Sequence, residues 1–311
     1  MNLNDYDIAA IIPCHNEAIA ITAVIEDLRK SIPNVTIYVY DNRSTDGTDE
    51  VARAAGAIVR YETVKGKGNV VRRAFADIEA DIYLLIDGDD TYDAHVADQL
   101  VTTLISGPYD HVLGVRDQGD AGATAYRAGH ETGNRAFNRF VSSVFGMPVN
   151  DMLSGYRVFS RRFVKSFPAA SREFEIETEL TVHCMSLRVP SIEVPVGFRD
   201  RPEGSESKLS TFRDGFKILA LIFQLIRLER PVLYHGFIGT LLILLGLIVG
   251  YPVVQEYADT GLVPRLPTAI LASSMVLLGS VVWLVGFILD AITKMRREAA
   301  RLNYLRLRSV A

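Results

Sequence analysis

The stretch Ile82-Tyr83-Leu84-Leu85-Ile86-Asp87-Gly88-Asp89-Asp90 decides the fold predicted for this chain of 311 residues. Its apolar first half and polar second half are typical of a buried strand that ends at the edge of a sheet. The last four positions hold three carboxylates, and Gly88 lets the backbone turn between them. Carboxylates this close repel one another unless a cation lies among them, and oxygen ligands suit Mg²⁺ or Mn²⁺. A solvated acidic turn is the alternative that this stretch alone leaves open.

The residues before this stretch alternate between strand and helix patterns. Residues 8–13 and 36–40 predict strands, and residues 58–61 predict a short third one. Asn16 is a candidate cap for a helix that ends near residue 31. Further helices are predicted from residue 48 to about residue 55 and from residues 65–69 to about residue 79. Strands separated by helices imply right-handed crossovers, so we expect an α/β fold with a mostly parallel, Rossmann-like sheet.

Three polar clusters follow the predicted strands: residues 13–17, 41–46 and 87–90. Ligands of parallel sheets bind outside the carboxyl ends of the strands, so we expect these clusters on one rim. Carboxylates there can accept hydrogen bonds from a base or ribose. Lys65 and Lys67, flanked by glycine at a helix start, offer cations and backbone N–H groups to phosphate. The rim therefore has the chemistry that a nucleoside diphosphate requires, although a mobile surface turn also explains Gly66-Lys67-Gly68.

The sequence disfavours several other classes of protein. It contains no Gly-x-x-x-x-Gly-Lys-Ser/Thr P-loop, and no Gly-x-Gly-x-x-Gly dinucleotide motif follows the first strand. The net charge of −4 gives no electrostatic reason to expect a nucleic-acid partner. The two cysteines, Cys14 and Cys184, form no metal pattern and no disulfide framework, which fits a reducing compartment.

Two long apolar runs near the C-terminus predict membrane spans. Residues 236–254 and 268–289 contain no charged side chain, and each run is near the ~20 residues that cross a ~30 Å hydrocarbon core. A buried helix of a large soluble protein is the alternative for either run. Residues 294–308 are rich in Lys and Arg, whereas Arg265 is the one basic residue of the loop between the runs, which also contains Glu256 and Asp259. The positive-inside rule then places the tail and the N-terminal head in the cytoplasm, and the polar residues 1–7 predict no signal peptide.

Several motifs resemble those of the family-two glycosyltransferases, which have a GT-A fold. They are Ile-Ile-Pro-Cys-His-Asn-Glu at residues 11–17, Asp-Asn-Arg-Ser-Thr-Asp-Gly-Thr at residues 41–48, and Asp-Gly-Asp at residues 87–89. Later motifs resemble the polyprenyl-phosphate glycosyltransferases, which include dolichol-phosphate mannose synthase. These later motifs are Gly114-Val115-Arg116, Gly133-Asn134-Arg135, Asp151-Met152-Leu153-Ser154-Gly155-Tyr156-Arg157, Glu175-Ile176-Glu177-Thr178-Glu179-Leu180, and residues 199–208.

The resemblance implies a nucleotide-sugar site on the rim and a Mg²⁺ or Mn²⁺ ion held by Asp87 and Asp89. It implies that Asp89, Asp87 and Arg157 serve catalysis. The implied donor contacts are Pro13, His15, Asn16, Glu17, Asp41, Asn42, Lys67, Asp87, Gly88 and Asp89. The sequence departs from the family pattern at Asn42, where Asp is common, and at Thr91, where some members have a Gln that binds the metal.

The acceptor implied by the resemblance is a polyprenyl phosphate at the membrane surface. Arginine and lysine form strong hydrogen bonds to phosphate. The cationic candidates are Arg116, Arg135, Arg157, Arg199 and Lys208, and Ser154 is a candidate through its hydroxyl. Any one of these cations is also explained as an ordinary surface residue. A phosphate monoester is mostly dianionic at pH 7, so no strong general base is required. We therefore expect Glu177 or Glu179 to position other groups, or else to lie on a solvated face.

These observations predict four segments along the chain. Residues 1–209 form the GT-A domain, 210–234 an amphipathic interfacial helix region, 235–290 a transmembrane hairpin, and 291–311 a basic cytoplasmic tail. Packing against a sister subunit is the competing explanation for the amphipathic segment. Members of the family often assemble through their membrane helices, so a homo-oligomer is one expected state.

The activity that the resemblance implies is inverting transfer of one hexosyl residue from a UDP- or GDP-sugar to undecaprenyl or dolichyl phosphate, on the cytoplasmic side of the cell membrane. A processive polysaccharide synthase of the same fold is one alternative. Such enzymes carry Gln-x-x-Arg-Trp, whereas residues 224–228 read Gln-Leu-Ile-Arg-Leu and lack the tryptophan. A catalytically silent membrane scaffold is the other alternative, and the carboxylates at every expected strand end argue against it.

Overall fold

The computed structural model describes residues 3–117, 150–168, 176–199, 201–202, 224 and 227–310. The chain divides into two compact units, one formed by Met1–Thr211 with Ala300–Ala311 and the other by Phe212–Ala299. Most of the predicted interfacial segment, residues 210–223 and 225–226, lies outside the described residues, as do Arg135 and Lys208.

A sheet of seven strands forms the centre of the first unit, in the order β3-β2-β1-β4-β6-β5-β7. Strand β6 runs antiparallel to both of its neighbours, and the other described pairs are parallel. This architecture confirms the mostly parallel α/β fold expected from the sequence. The strands are β1 Ile8–Cys14, β2 Thr36–Asp41, β3 Ile58–Tyr61, β4 Ile82–Leu85, β5 His111–Asp117, β6 Arg157–Ser160 and β7 Ser191–Gly197.

Helices cover both faces of the sheet. Along β1, Ile8, Ala10 and Ile12 join one apolar cluster, while Ala9 and Ile11 join the cluster on the opposite face. Strands buried on both faces read as continuous apolar runs, which is why β1 and β4 are so prominent in the sequence. The helices of this unit are α1 Ile21–Ser31, α2 Thr48–Ala54, α3 Lys67–Asp77, α4 Ala97–Ser106, α5 Arg161–Ser166 and α6 Ile176–Leu187.

The expectation that Asn16 caps the first helix is wrong. Helix α1 begins at Ile21, and Asn16 lies outside it in the left-handed region with φ 57°. The side-chain oxygen of Asn16 accepts a hydrogen bond from the Thr45 backbone N–H at 2.8 Å. The backbone N–H of Asn16 donates to Ser44 Oγ at 3.0 Å. Asn16 therefore joins the loops after β1 and β2 instead of starting a helix.

The strand register brings the predicted polar clusters to one rim of the sheet. Cys14 at the end of β1 pairs with Asp41 at the end of β2. On the other side of β1, Ile11 pairs with Leu85, the last residue of β4. Since parallel strands end at the same edge, the residues that follow β1, β2 and β4 lie close together.

Two long apolar helices, α7 Pro231–Thr260 and α8 Leu266–Arg306, follow the sheet domain. Each contains an 18-residue window with a mean hydropathy above 2, so both are long and apolar enough to cross a membrane. Glycines allow close approach between them, because a Cβ on Gly239 would lie 2.7 Å from the Gly279 carbonyl oxygen. The two apolar runs predicted as spans lie inside these helices.

A buried ion cluster closes the sheet at the end opposite the polar rim. Asp110 is fully buried and accepts hydrogen bonds from Arg162 Nε at 2.6 Å, from Ser160 Oγ at 2.6 Å and from the Tyr304 hydroxyl at 2.5 Å. Tyr304 belongs to the C-terminal segment of the same unit. A carboxylate before β5 thus joins α5 and the chain terminus to the sheet.

Asp110→Ala is expected to lower the free energy of unfolding by about 3–5 kcal/mol, because it leaves the Arg162 guanidinium without its buried partner. Chemical denaturation of the purified full chain in detergent measures this loss. Glu26→Ala is the matched control, since Glu26 is exposed on α1 and its loss should leave the midpoint nearly unchanged. Equal midpoints for both variants would contradict the structural role of Asp110.

Candidate functional site

Each aspartate in the acidic stretch after β4 forms an ion pair with a lysine or arginine side chain. Lys67 pairs with Asp87, Arg201 Nη2 lies 2.6 Å from Asp89 Oδ2, and Arg199 pairs with Asp90. Asp90 has φ 57°, a left-handed conformation that turns the chain sharply after the strand. The structure therefore does not have the solvated acidic turn that the sequence left open as an alternative. The aspartates instead form ion pairs with residues of α3 and of the segment after β7.

Asp89 is the more deeply buried of the two aspartates predicted to hold a metal. Its Oδ1 accepts hydrogen bonds from the Thr91 hydroxyl at 2.7 Å and from the Thr91 amide at 3.2 Å. Burial, followed by the neighbouring charge of Asp87, raises the pKa of Asp89 above its usual value. Thr91, the departure noted in the sequence, thus orients the Asp89 carboxylate.

Lys67 lies between two carboxylates. Its ammonium pairs with Asp87 and also lies 2.5 Å from Glu177 Oε1 on α6. Burial alone would lower the pKa of Lys67, but Asp87 and Glu177 outweigh it and raise that pKa, so the ammonium stays charged at neutral pH. The sequence suggested that Glu177 positions another group, and in the structure Glu177 pairs with this lysine.

The end of β2 presents a buried carboxylate with spare hydrogen-bonding capacity. Asp41 is 5 % exposed, and its Oδ2 accepts a hydrogen bond from the Ser44 amide at 3.2 Å. Its Oδ1 is buried and has no hydrogen-bond partner in the described part of the chain. Since an unpaired buried acceptor is costly, this oxygen suits an N–H or O–H donor brought by a ligand.

Asn42 uses its side chain to hold the loop that leads to Lys67. Its Nδ2 donates to the carbonyl oxygens of Glu62 at 2.8 Å and Val64 at 2.9 Å, and its Oδ1 accepts from the Gly66 amide at 2.7 Å. These contacts use both N–H groups of the side-chain amide to support the loop, and the expected contact of Asn42 with the sugar donor stays a prediction.

The remaining predicted donor residues line the same rim. Glu17 is buried and its Oε1 lies 3.6 Å from Arg201 Nη1. Pro13 and His15 are half-buried at the end of β1. Arg201 was not among the residues predicted from the sequence, although it lies in the motif at residues 199–208. Its contact with both Glu17 and Asp89 links two of the polar clusters.

Gly88 is required by close packing beneath the aspartates. A Cβ at this position would lie 2.6 Å from Cys14 Sγ and 3.2 Å from Ile12 Cγ2. The end of β1 therefore supports the turn that aims Asp87 and Asp89, and no side chain fits between them.

Gly88→Ala is expected to destabilise the fold by about 1–3 kcal/mol through overpacking against Cys14. Thermal unfolding of the purified protein is the measurement. Gly197→Ala serves as the control, because its Cβ would meet its nearest neighbour at an ordinary 3.4 Å. A Gly88 variant as stable as the control would show that β1 does not support the turn.

Arg157 and Ser154, both predicted to bind the acceptor phosphate, are fully buried and engaged with protein atoms. The Arg157 guanidinium donates to the Ser154 carbonyl oxygen at 2.8 Å, to Thr181 Oγ1 at 2.9 Å and to the Met152 carbonyl oxygen at 2.7 Å. The Ser154 hydroxyl donates to the Gly114 carbonyl oxygen at 2.5 Å. Both side chains are turned into the protein in this structure, which argues against their predicted phosphate contacts and against the catalytic role of Arg157.

Of the other predicted acceptor contacts, Arg116 is partly buried, Arg199 is exposed, and two lie outside the described residues. Arg116 forms a bidentate pair with Asp151 through two bonds of 2.7 Å and packs on the ring of Phe198. Arg199 is 51 % exposed and donates to the Asp90 carbonyl oxygen at 2.9 Å. Arg135 and Lys208 belong to the part of the chain that the structure does not describe.

The rim has the donors for a divalent cation that arrives with a diphosphate. Asp87 and Asp89 supply hard carboxylate oxygens, but no group of three or more His, Cys, Asp or Glu side chains converges as a metal cage within the described ranges. Mg²⁺ is usually held by one or two carboxylates together with substrate phosphates and water. The two aspartates fit that mode of binding and would share the ion with the ligand.

Comparison with known proteins gives the chain its family. The model of the family "Glycosyl transferase family 2" matches residues 9–167. Glycosyltransferase AglJ of Haloferax volcanii is 34 % identical over 293 residues, covering 94 % of this chain and 95 % of that protein. The dolichyl-phosphate hexose transferase of the same organism is 29 % identical over 224 residues, covering 72 % of this chain and 96 % of that protein.

A solved structure supports the fold. Glucosyl-3-phosphoglycerate synthase from Mycobacterium tuberculosis, in complex with Mn²⁺, uridine diphosphate and phosphoglyceric acid, superposes with a TM-score of 0.58 at 22 % identity. The match covers 72 % of this chain and 78 % of that one. From the family model, the full-length relative and the shared architecture, we conclude that this chain is a glycosyltransferase of family 2 with a GT-A fold.

Proposed function

We propose that this glycosyltransferase moves a single hexosyl residue, with inversion, from a nucleoside diphosphate sugar to a polyprenyl phosphate. The observation that carries the donor half is the buried Asp41 carboxylate, whose Oδ1 has no hydrogen-bond partner among the residues that the structure describes. An N–H group of a nucleobase would satisfy that oxygen. Uracil and guanine both present such a group, so UDP- and GDP-sugars are both candidates.

The diphosphate would lie between cations of the chain. Lys67 and Arg201 already contact the aspartates of the rim, and both side chains form strong hydrogen bonds to phosphate oxygens. Asp89, with Asp87, would hold Mg²⁺ or Mn²⁺ on the diphosphate. When bound, that ion supplies Lewis-acid stabilisation of the charge that develops on the leaving group.

The reaction needs no side chain that acts as a strong general base. The acceptor phosphate is mostly dianionic at pH 7, because its second pKa is near 6. One of its oxygens forms the new bond to the anomeric carbon, while the bond from that carbon to the diphosphate oxygen breaks and the nucleoside diphosphate leaves. Lys67 and Arg201 stabilise the departing charge.

The acceptor half of the proposal is supported by the two apolar helices and by a relative named as a dolichyl-phosphate hexose transferase. We infer a GT-A domain of residues 1–209, an interfacial region of 210–234, a membrane hairpin of 235–290 and a cytoplasmic tail of 291–311. Arg199, which is exposed, and Arg116, which is partly buried, are the candidates for the acceptor phosphate among the described residues. Arg135 and Lys208 remain candidates from their sequence motifs, and assembly through the membrane helices remains a proposal.

A transfer assay tests this function. Purified protein is incubated with Mn²⁺ or Mg²⁺, with undecaprenyl or dolichyl phosphate, and with each of a panel of labelled UDP- and GDP-sugars. We expect one labelled glycolipid that carries a single hexose and whose anomeric configuration is opposite to that of the donor. Label that stays at the chromatographic origin as polymer would contradict single transfer. Absence of product with every donor, from a folded protein, would contradict the proposed activity.

A further inference from the structure

Three elements that are distant along the chain meet at one ammonium group. Lys67 stands at the start of α3, Asp87 follows β4, and Glu177 lies on α6. The Lys67 ammonium hydrogen-bonds to Asp87 and lies 2.5 Å from Glu177 Oε1. The side chains of Lys67 and Glu177 are only 10 % and 6 % exposed, whereas that of Asp87 is 27 % exposed. Glu177 therefore holds the lysine from the protein side, and Asp87 meets it at the edge of the site.

The backbone at Gly155 encloses this triad. A Cβ at position 155 would lie 2.5 Å from Asp87 Oδ2 and 3.0 Å from Lys67 Nζ. The segment that leads into β6 thus packs directly against the ion pairs and leaves no room for a side chain. Such tight enclosure restricts the long and flexible stem of Lys67.

The two aspartates have different kinds of counter-ion. Lys67, the partner of Asp87, is held by a second carboxylate deep in the structure. Arg201, the partner of Asp89, comes from the segment after β7 and is 27 % exposed. A divalent cation competing for a carboxylate would displace the more exposed guanidinium more readily than the enclosed ammonium.

We propose that Glu177 is a positioning residue for donor binding, which holds the Lys67 ammonium beside Asp87 so that it faces the diphosphate while Asp89 takes the divalent cation. This inference rests on the proposed use of a nucleoside diphosphate sugar. It assigns Glu177 a role that acts through Lys67. It also gives the two aspartates different roles, since Asp87 stays paired with Lys67 and Asp89 binds the divalent cation.

The proposal makes a prediction whose sign separates it from simple electrostatics. The Glu177 carboxylate repels a diphosphate, so removing its charge should by itself strengthen binding. If Glu177 positions Lys67, its loss instead releases the lysine stem, and the ligand must then pay the entropy of ordering that side chain. Weaker binding after loss of a negative charge is therefore the signature of positioning.

The test measures binding of UDP and of GDP by isothermal titration calorimetry, first in Mn²⁺ and then in EDTA. We expect Glu177→Gln to weaken binding of the preferred nucleotide about three- to tenfold, and Lys67→Met to weaken it about ten- to a hundredfold. In the Lys67→Met background, adding Glu177→Gln should leave binding unchanged or strengthen it, because only the electrostatic effect remains.

Glu79→Gln is the matched control, since Glu79 pairs with Lys165 at 2.8 Å on the exposed surface and should not affect binding. Thermal unfolding of each variant confirms that the fold is retained. Unchanged or stronger binding by Glu177→Gln, or an equal loss with and without Lys67, would overturn the positioning role while leaving the proposed function intact. A wild-type protein that binds neither nucleotide would overturn the proposed function as well.

Discussion

Asp89→Asn should reduce sugar transfer by about 10³-fold while leaving the protein folded. The amide keeps the shape of the side chain and can still accept the hydrogen bond from Thr91. It removes the charge that Arg201 contacts and that a divalent cation would require. The loss should therefore fall on the stabilisation of the leaving diphosphate and not on the fold.

Transfer from the donor identified in the panel assay, followed by chromatography, measures this effect. Mn²⁺-dependent binding of the nucleoside diphosphate should weaken in the same variant. Asp77→Asn is the control, since Asp77 forms an exposed pair with Arg73 and should keep full activity. An Asp89 variant that transfers sugar at the wild-type rate would exclude Asp89 from the catalytic centre.

Arg157→Met should lower the free energy of unfolding by about 3 kcal/mol or more. The guanidinium is fully buried, and its loss leaves the carbonyl oxygens of Ser154 and Met152 without their donor. A single domain is usually stable by about 5–15 kcal/mol, so the change removes a large share of the total.

Denaturant unfolding of the full chain in detergent measures the loss, with Arg53→Met as the control at an exposed site. The same variant distinguishes the structural role from the acceptor role expected from the sequence. A contact with the acceptor phosphate would raise the KM for polyprenyl phosphate in a protein of normal stability. A raised KM together with normal stability would show that Arg157 acts in acceptor binding and not in stability.

The positions of the main site residues follow from local sequence patterns. An apolar strand followed by Asp87, Gly88 and Asp89 predicts both the end of β4 and the polar rim, because parallel strands present their carboxyl ends at one edge. The same reasoning placed Asp41 at the end of β2 and Lys67 at the start of α3. In each case one strand or helix boundary determines where the residue lies.

The loop after β1 shows where local patterns fail. Asn16 has the residue type and spacing of a helix cap, yet it bonds to Ser44 and Thr45 from the loop after β2. Asn42 likewise supports the loop before Lys67. Short polar side chains bond to whichever backbone group is nearest, and the neighbouring loop is brought near only by folding.

The sequence by itself determined the α/β fold, the acidic rim and the two apolar helices, since strand period, strand ends and hydrophobic length are properties of contiguous residues. The tertiary structure alone decided which cation meets which carboxylate. Arg201 and Asp89 are 112 positions apart, and no local pattern relates them. The tertiary structure also decided that Arg157 is buried while Arg199 is exposed, because burial depends on how elements pack and not on the residue type.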